Sequence, residues 1–552
     1  MRKYAWLIAI GCVLLLNVAA HYCVVRWDLT DDRRYSLSSA TIQLLDSLHA
    51  PLHVTLYLEG DLNPSFTRLK NATVEMLEEL NARNANIRWS VLDKEAIETL
   101  SMRKDFSLQP IVIHEREKNG TTVQQTVYPY ALAEYNGRSA LINLLQNNRG
   151  RSGEENLNAS IENLEYAFAE AIHRVRQTEV PRVAFIEGHG ELPEQNVYDL
   201  SLALSKYFQI DRGVIGTDAQ MLNPYRAIII ADPQAAFSEA DKYIIDQYVQ
   251  QGGNVLWVLN GVQFSQDVLA QSGFTPVLPL DLNLSDMFFR YGVRINPALL
   301  QDVQCLPIPV NVSSDPQQPN LQPMPWYYAP LLLTSQSAAI TRNIGQVSSM
   351  FASPIDLVGG EHIHKEILLA TSTASRIIPT PAEVDLADMN PDMSTFRYQY
   401  IPVAVALKGV FPSVFAHRMP PAEIAPESIV KTASPQASRQ VVVASGSIIR
   451  NEIQQGNALP VGYDRYSGMQ FGNRDFLVNT VLYLTDEQGL IPLRQKSVAL
   501  RLLNDRRAYE ARTTIQWIST IVPIGILALI GLLFHLMRRH RYTVAYPNTQ
   551  QS

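Results

Sequence analysis

One short segment combines glycines with ionisable side chains in a pattern typical of ligand-binding loops. Gly188-His189-Gly190-Glu191 follows a short apolar run and supplies the first two glycines of the G-x-G-x-x-G pattern that binds dinucleotides. Pro193 replaces the third glycine, which in that pattern allows a helix to pack closely on a strand. We therefore predict no cofactor here and interpret the segment as a tight structural turn. Gly188, His189, Gly190 and Glu191 remain a candidate binding loop.

Nucleophilic catalysis has little support in the sequence. Hydrolases and amidotransferases built on parallel sheets carry Ser or Cys on the sharp turn after a strand. The predicted strand ends carry instead Gly188-His189, Asp232-Pro233 and Asn260-Gly261. Ser445 and Ser447 follow a later predicted strand, but the chain has no G-x-S-x-G pattern and no His close to them in sequence. We predict no catalytic residues.

The absence of a phosphate-binding loop and of a complete set of metal ligands excludes two further classes of function. The chain has no Gly-Lys-Ser or Gly-Lys-Thr, so it has no Walker A loop and is not the ATPase of a P-loop transporter. His362 and His364 would share one face of a strand, as some metal sites require. No third ligand follows at a recognisable spacing, so we predict an exposed or hydrogen-bonded pair and no metal site.

Two apolar runs predict membrane-spanning helices. Residues 4–25 and 515–537 contain no charged residue, and 22 residues of helix span about 33 Å, enough for the hydrocarbon core. The flanking tails are basic, with Arg2 and Lys3 before the first run and three arginines directly after the second. The positive-inside rule then places both termini in the cytoplasm of a bacterial inner membrane. Residues 26–514 would be periplasmic.

The first run has alternative interpretations. Small residues before His21 fit a cleaved signal peptide, but the apolar sequence continues to Val25 and favours an uncleaved anchor. A lipoprotein-type cleavage before Cys12 fits less well, because apolar sequence follows it. Asn17 in the first run and Pro523 in the second predict packing against a neighbouring membrane helix. Two uncharged spans cannot line a transport path by themselves.

Composition limits the remaining classes. The 552 residues carry a formal charge of −7, which gives no reason to expect nucleic-acid binding. Three cysteines exclude a disulfide-built scaffold. A hydrophobic content of 46% with 18% charged residues fits a chain that buries a core and excludes wholesale disorder.

Periodicity predicts an α/β domain after the first span. Strands at residues 53–58 and 87–92, with an amphipathic helix at 65–82 between them, form a βαβ unit. Asn119-Gly120 and Asn136-Gly137 predict hairpin turns. Further helices are predicted at about 39–48 and, as one long helix with an apolar face, at 157–175.

A second α/β region begins after Pro181. Short apolar strands at residues 183–186, 227–231 and 254–259 alternate with helices at 198–207 and from Ser238 to Gly252-Gly253. This alternation predicts a parallel, doubly wound sheet. Residues 439–444 read as another strand. The proline-rich stretch 306–330 is predicted as extended connecting chain.

The predicted fold class is therefore α/β: a membrane-anchored ectodomain, with an N-terminal α/β domain and a doubly wound, Rossmann-like sheet domain, is flanked by two transmembrane helices. The predicted divisions are a tail (1–3), a span (4–25), an N-terminal α/β domain (26–177), a second α/β domain with proline-rich insertions (178–495), a juxtamembrane segment (496–514), a span (515–537) and a tail (538–552).

The chain resembles the GldG family of auxiliary membrane subunits of the gliding-motility-associated ABC transporter. The resemblance covers nearly the whole chain and depends on the order and spacing of several short motifs. These are Asp28-Leu29-Thr30, Arg34-Tyr35-Ser36-Leu37-Ser38, Val54 to Asp61, Phe66 to Thr73, Gly188 to Glu191, Phe237-Ser238-Glu239, Arg290-Tyr291-Gly292-Val293 and Arg538 to Tyr542. Ser445-Gly446-Ser447 departs from the acidic residues frequent in relatives.

The resemblance implies partners and a fold. It implies a separate permease subunit, a cytoplasmic ABC ATPase and a sheet similar to that of glutamine amidotransferases without their catalytic residues. We therefore expect a non-enzymatic auxiliary subunit in contact with membrane lipid, with no nucleic-acid partner. An envelope scaffold or sensor that binds a protein or glycan, and an amidotransferase-like hydrolase acting through His189 and Glu191, are the alternatives.

Overall fold

The computed structural model describes residues 37–60, 62–92, 110–116, 122–145, 153–177, 179–311, 321–342, 344–386, 391–428, 435–486 and 511–543. The chain forms two compact units, Met1–Ser497 and Val498–Ser552. The predicted first span, at residues 4–25, lies outside the described residues, as does Asn17.

The first unit begins with a four-stranded sheet and its helices. The elements are α1 (Ser39–Asp46), β1 (Leu52–Leu56), α2 (Pro64–Arg83), β2 (Ile87–Val91), β3 (Ile111–Arg116), β4 (Thr122–Val127), β5 (Tyr130–Tyr135), β6 (Arg138–Asn143), α3 (Gly153–Glu162) and α4 (Leu164–Arg176). The sheet order is β2-β1-β5-β6, and β3 pairs separately with β4.

The predicted βαβ unit is confirmed. β1 and β2 pair in parallel, and α2 connects them. Asn63 begins α2 by accepting a hydrogen bond from the Phe66 amide at 2.9 Å, and Pro64 occupies the first turn, where its missing N–H costs nothing. Leu69, Leu77 and other apolar residues at helical spacing are buried against the sheet.

Two local predictions for this region have different outcomes. Asn136-Gly137 forms the predicted hairpin turn, with positive φ at both residues, between the antiparallel strands β5 and β6. Asn119-Gly120 lies outside the described residues. The prediction of a single long helix at 157–175 was wrong, because the chain forms two helices, α3 and α4, with a break at Asn163. Asn favours helix ends over helix interiors, and the break lets α3 pack on α2 while α4 packs on β5 and β6.

The large sheet begins with parallel strands. Its first elements are β7 (Arg182–Glu187), α5 (Tyr198–Leu204), β8 (Gln209–Val214), β9 (Ala227–Ala231), α6 (Glu239–Gln250) and β10 (Asn254–Val258). Ser238 caps α6, and Gly252-Gly253 follows its end, as predicted.

The middle of the chain is mostly strand. It contains β11 (Val262–Gln263), α7 (Gln266–Ser272), β12 (Phe274–Pro279), α8 (Ser285–Tyr291), β13 (Val293–Ile295), β14 (Ala298–Asp302), β15 (Cys305–Asn311), β16 (Leu321–Thr334), β17 (Val347–Ser348), β18 (Ile355–Leu357), β19 (His364–Ala370), β20 (Ser375–Pro379), β21 (Ala382–Asp385) and β22 (Pro402–Gly409). After it come β23 (Ser438–Val443), β24 (Ile453–Gln454), β25 (Asn457–Ala458), β26 (Tyr463–Asp464), β27 (Met469–Gln470) and α9 (Asn473–Thr485).

The large sheet has a parallel half and an antiparallel half. Its order is β15-β16-β19-β22-β23-β10-β9-β7-β8, with β17 paired to β16. Strands β8, β7, β9, β10 and β23 are parallel to one another. From β23 outward, β22, β19, β16 and β15 pair antiparallel.

Apolar side chains cover both faces of this sheet. Along β9, Ala227, Ile229 and Ala231 face a core formed with α5 and α9. Ile228 and Ile230 face the opposite core, formed with α6 and α8. This alternation explains the uninterrupted apolar run of the strand, because a strand buried on both faces has no solvent side. The helices on both faces and the parallel strands β8, β7, β9, β10 and β23 agree with the predicted doubly wound sheet. The prediction of a parallel sheet was wrong for the other half, where β22, β19, β16 and β15 pair antiparallel.

The sequence predicted connecting chain for the proline-rich stretch 306–330, and this prediction was wrong. Most of it lies in β15 and β16, which pair antiparallel with Pro307 opposite Pro325 and Pro309 opposite Pro323. Because these prolines stand at every second position, they occupy the non-hydrogen-bonded pairs, which alternate with hydrogen-bonded pairs along an antiparallel ladder. The residues between them, such as Ile308 and its partner Met324, are left to form the hydrogen-bonded ladder.

The second unit contains α10 (Arg512–Thr543). Within it, Gln516–His540 is long and apolar enough to cross a membrane, and it includes the predicted span 515–537 except for its first residue. Pro523 lies inside this helix. Among the described residues it is the one helix with these properties.

Candidate functional site

The carboxyl ends of the parallel strands bring together the polar segments that the sequence analysis considered. Gly188 and His189 follow β7, Asp232 follows β9, and Asn260 comes shortly after β10. Ser445 comes shortly after β23. Because neighbouring parallel strands end at the same edge, this edge is the usual ligand position in such sheets.

His189 is held between two carboxylates. Its Nδ1 lies 3.0 Å from Glu191 Oε1, and its Nε2 lies 3.2 Å from Asp241 Oδ2 in the first turn of α6. The ring stacks on Phe237 with 3.7 Å between centroids. With a carboxylate facing each nitrogen, the imidazolium form donates to both. Burial alone would lower the pKa of His189, but the hydrogen bonds to Glu191 and Asp241 outweigh it, so the pKa is raised above 6.5.

The backbone of the same loop is fixed to the segment after β9. The His189 carbonyl accepts hydrogen bonds from the amides of Gln234 and Ala235, both at 2.8 Å. Gly190 has a φ of +75°, and a β-carbon there would meet Gln234 Cβ at 3.2 Å. The two glycines of the motif, Gly188 and Gly190, therefore serve backbone conformation and close approach.

A second cluster is centred on the buried carboxyl group of Asp232. Asn260 Nδ2 donates to Asp232 Oδ1 at 2.6 Å, and Gln234 Nε2 donates to the same oxygen at 3.0 Å. Arg450 Nη2 lies 3.4 Å from Oδ2. Burial raises the pKa of Asp232 to about 6, against the opposing effects of the Arg450 charge and the hydrogen bond from Gln234.

The loop after β23 closes this cluster. The Gly446 amide donates to Asn260 Oδ1 at 2.8 Å, so Asn260 links Asp232 to that loop. The hydroxyls of Ser445 and Ser447 lie 2.9 Å apart, and both contact the backbone of Met350.

The geometry at this edge is that of a linked polar network. A serine nucleophile needs a base within hydrogen-bond reach. In the described part of the chain, Ser445 and Ser447 form hydrogen bonds with each other and with the Met350 backbone, while both nitrogens of His189 face carboxylates. The arrangement places a partly exposed cation, Arg450, beside the Asp232 carboxyl group, whose pKa burial raises to about 6.

The predicted site residues have different positions. Gly188, His189, Gly190 and Glu191 form one loop, and His189 contacts Asp241, a contact that was not predicted. Pro523 lies in α10, in the other unit. His362 and His364 are both exposed, as predicted for this pair. His364 begins β19 and His362 lies in the turn before it, so they do not form a His-x-His pair on one strand face.

The Asp232 cluster was not predicted from the sequence, where the strand ends were considered only as positions for a nucleophile. The available signal was the polar residue at the end of each of two buried apolar strands, Asp232 and Asn260. Arg450 and Gly446 gave no signal, because their partners lie far away in sequence.

Comparisons with known proteins give one informative result. A protein-family model described as an ABC-type uncharacterized transport system matches residues 180–480, more than half of the chain. Another, described only as a domain of unknown function, matches residues 31–134. No curated protein matches. A solved structure described as "mmIFT52 N-terminal domain" is similar with 13% identity, a TM-score of 0.32 and coverage of 55% of this chain and 97% of that one.

Proposed function

Because the chain belongs to the auxiliary family of ABC-type uncharacterized transport systems, we propose that it acts as a non-enzymatic subunit that packs on the permease of such a transporter. The observation that carries the proposal is the family match over residues 180–480. In this proposal a separate ATPase supplies the energy, and the chain presents an ectodomain for binding or docking. The more specific family is GldG, on the motifs from Asp28 to Tyr542.

Membrane attachment through α10 is the first supporting feature. Gln516–His540 is long and apolar enough to cross a bilayer, and its large apolar side chains, among them Trp517, Leu527 and Phe534, are exposed within the structure. Exposed apolar side chains along a whole helix need lipid or another helix as their environment. We propose that residues 4–25 form a second span, that both termini are cytoplasmic, and that residues 26–514 are periplasmic.

The carboxyl edge of the sheet supports a non-enzymatic role. His189, Asp232 and Asn260 occupy the positions from which sheets of this kind act on ligands. All three are engaged in hydrogen bonds that hold neighbouring loops together. We propose that this edge is an amidotransferase-like scaffold adapted to hold its loops for a partner. We propose that the N-terminal domain comprises residues 26–177 and the sheet domain residues 178–495.

The test is purification of the native complex. The full chain would carry a tag after Ser552, and detergent-solubilised membranes would be purified and analysed by mass spectrometry. We expect a permease and a Walker-motif ATPase at abundance comparable to the tagged chain. A matched chain, with residues 512–543 replaced by an unrelated membrane helix, should retain its membrane location and lose these partners. Envelope proteins without any ABC component would overturn the proposal and favour the scaffold alternative.

A further inference from the structure

A large cavity opens at the edge of the sheet opposite the polar network. Its volume is about 1220 Å³, above the roughly 300–1,000 Å³ of common small-molecule pockets. Its lining includes Arg182 near the start of β7, Asn254 at the start of β10 and Arg439 near the start of β23. The C-terminal end of α4, with Arg174 and Arg176, forms another wall.

The lining of this cavity is cationic. Six Arg and Lys side chains line it against three carboxylates, in a chain whose net charge is −7. The cations are Arg174, Arg176, Arg182, Arg226, Lys408 and Arg439. The dipole of α4 accounts for the basic residues in its last turn. It does not account for the basic residues on the strands.

Two of the cations on the strands face each other directly. Lys408 on β22 and Arg439 on β23 are partners in the antiparallel register, so their side chains lie on the same face of the sheet. Like charges in this position destabilise a sheet. Since both residues line the cavity, an anion bound there would remove the repulsion.

Two of the arginines are also held in place by aromatic rings. Arg182 lies over the Tyr225 ring at 5.1 Å and pairs with Asp211 at 2.7 Å. Arg439 lies over the Tyr483 ring at 5.0 Å and donates to the Tyr483 carbonyl, a neutral acceptor. Guanidinium groups supported on aromatic rings lose little freedom when they bind a planar or tetrahedral anion.

We propose that this cavity binds a ligand that carries phosphate groups. Several guanidinium groups that line one cavity match phosphate oxygens, which accept paired hydrogen bonds from arginine. Either a soluble phosphorylated molecule or the headgroup of an anionic phospholipid would supply this chemistry. The proposal is independent of the ABC transporter partnership.

The test uses the full chain in nanodiscs of neutral phosphatidylcholine and inorganic pyrophosphate as the probe. Pyrophosphate should raise the melting temperature, because a ligand that binds only the folded chain stabilises it. Calorimetric titration should show about tenfold or more weaker binding for Lys408→Gln with Arg439→Gln, since charge-assisted hydrogen bonds are lost. Lys408→Gln alone changes one exposed side chain and keeps the test valid if the double variant does not fold.

A matched control removes the same charge elsewhere. Arg294→Gln with Arg397→Gln changes two exposed arginines that do not line the cavity and should bind pyrophosphate as the wild type does. A second set of nanodiscs containing phosphatidylglycerol separates the two sources. A lipid ligand would raise the wild-type melting temperature without pyrophosphate and weaken pyrophosphate binding, and Lys408→Gln would reduce both effects. If Lys408→Gln and the control pair give the same results with pyrophosphate and with phosphatidylglycerol, the proposal is wrong.

Discussion

The carboxyl group of Asp232 lies so close to the α-carbon of Gly446 that a β-carbon at position 446 would stand 2.2 Å from the carboxyl carbon. The two residues follow β9 and β23, which flank β10 on either side. Asn260, after β10, donates to Asp232 and accepts from the Gly446 amide. One carboxyl group, one amide and one glycine therefore tie three strand ends together.

Gly446→Ala should destabilise the protein because the added methyl group has no space. Displacing the Asp232 carboxyl group would break its hydrogen bond with Asn260, and overpacking of this kind costs about 1–3 kcal/mol. Urea unfolding of the detergent-solubilised chain measures the change. Gly213→Ala is the matched control, because its β-carbon would meet nothing within 4 Å. Equal stability of the two variants would contradict the close contact.

Asp232→Asn should change the pH dependence of stability. The folded pKa of about 6 lies above the ordinary aspartate pKa of 3.8, so the folded chain holds this proton more tightly than the unfolded chain. The contribution is fully present below about pH 4 and is lost as the pH rises through 6. Over that interval the lost stabilisation amounts to about 3 kcal/mol, which the Asn variant should not lose.

Denaturant titrations at several pH values between 4 and 7 measure this difference. Asp267→Asn, which changes an exposed carboxylate in the first turn of α7, serves as the control and should follow the wild-type profile. A wild-type profile that Asp232→Asn leaves unaltered would show that Asp232 does not titrate in this range.

His189→Gln should destabilise the loop after β7. The variant leaves Glu191 buried without its cationic partner, and loss of one member of a buried pair costs about 3–5 kcal/mol. Because the folded pKa of His189 is raised above 6.5, its stabilisation is fully present below that pH. It is lost as the pH rises through the folded pKa. The gap between wild type and variant should therefore be wider at pH 6 than at high pH.

Melting temperatures across this pH range test the His189 prediction. His53→Gln is the control, since His53 is exposed and contacts Ser90 at the surface. Adding Glu191→Gln to His189→Gln removes the unpaired carboxylate and should recover part of the loss. A double variant no more stable than the single one would show that the cost comes from lost packing on Phe237.

Local sequence patterns predicted many of the helices and strands. The features that they did not predict depend on contacts between residues far apart in sequence. The apolar run from Ala227 to Ala231 and the cap at Ser238 were sufficient for β9 and α6. The break at Asn163 was not predictable from the apolar face, because that face continues through both helices. Gly446 and Asn260 lie 186 positions apart, so their contact depends on the order of strands in the sheet, which periodicity does not reveal.

The proposed two-span topology makes the last prediction. If Gln516–His540 crosses the membrane and residues 4–25 cross it before, alkaline phosphatase inserted after Asp486 should be active and a fusion after Ser552 inactive. Green fluorescent protein at the same two positions should give the opposite pattern. An epitope tag before Tyr4 that remains on the mature chain would exclude the cleaved signal peptide. Phosphatase that is inactive after Asp486 would instead place the ectodomain in the cytoplasm and remove the proposed docking role in the periplasm.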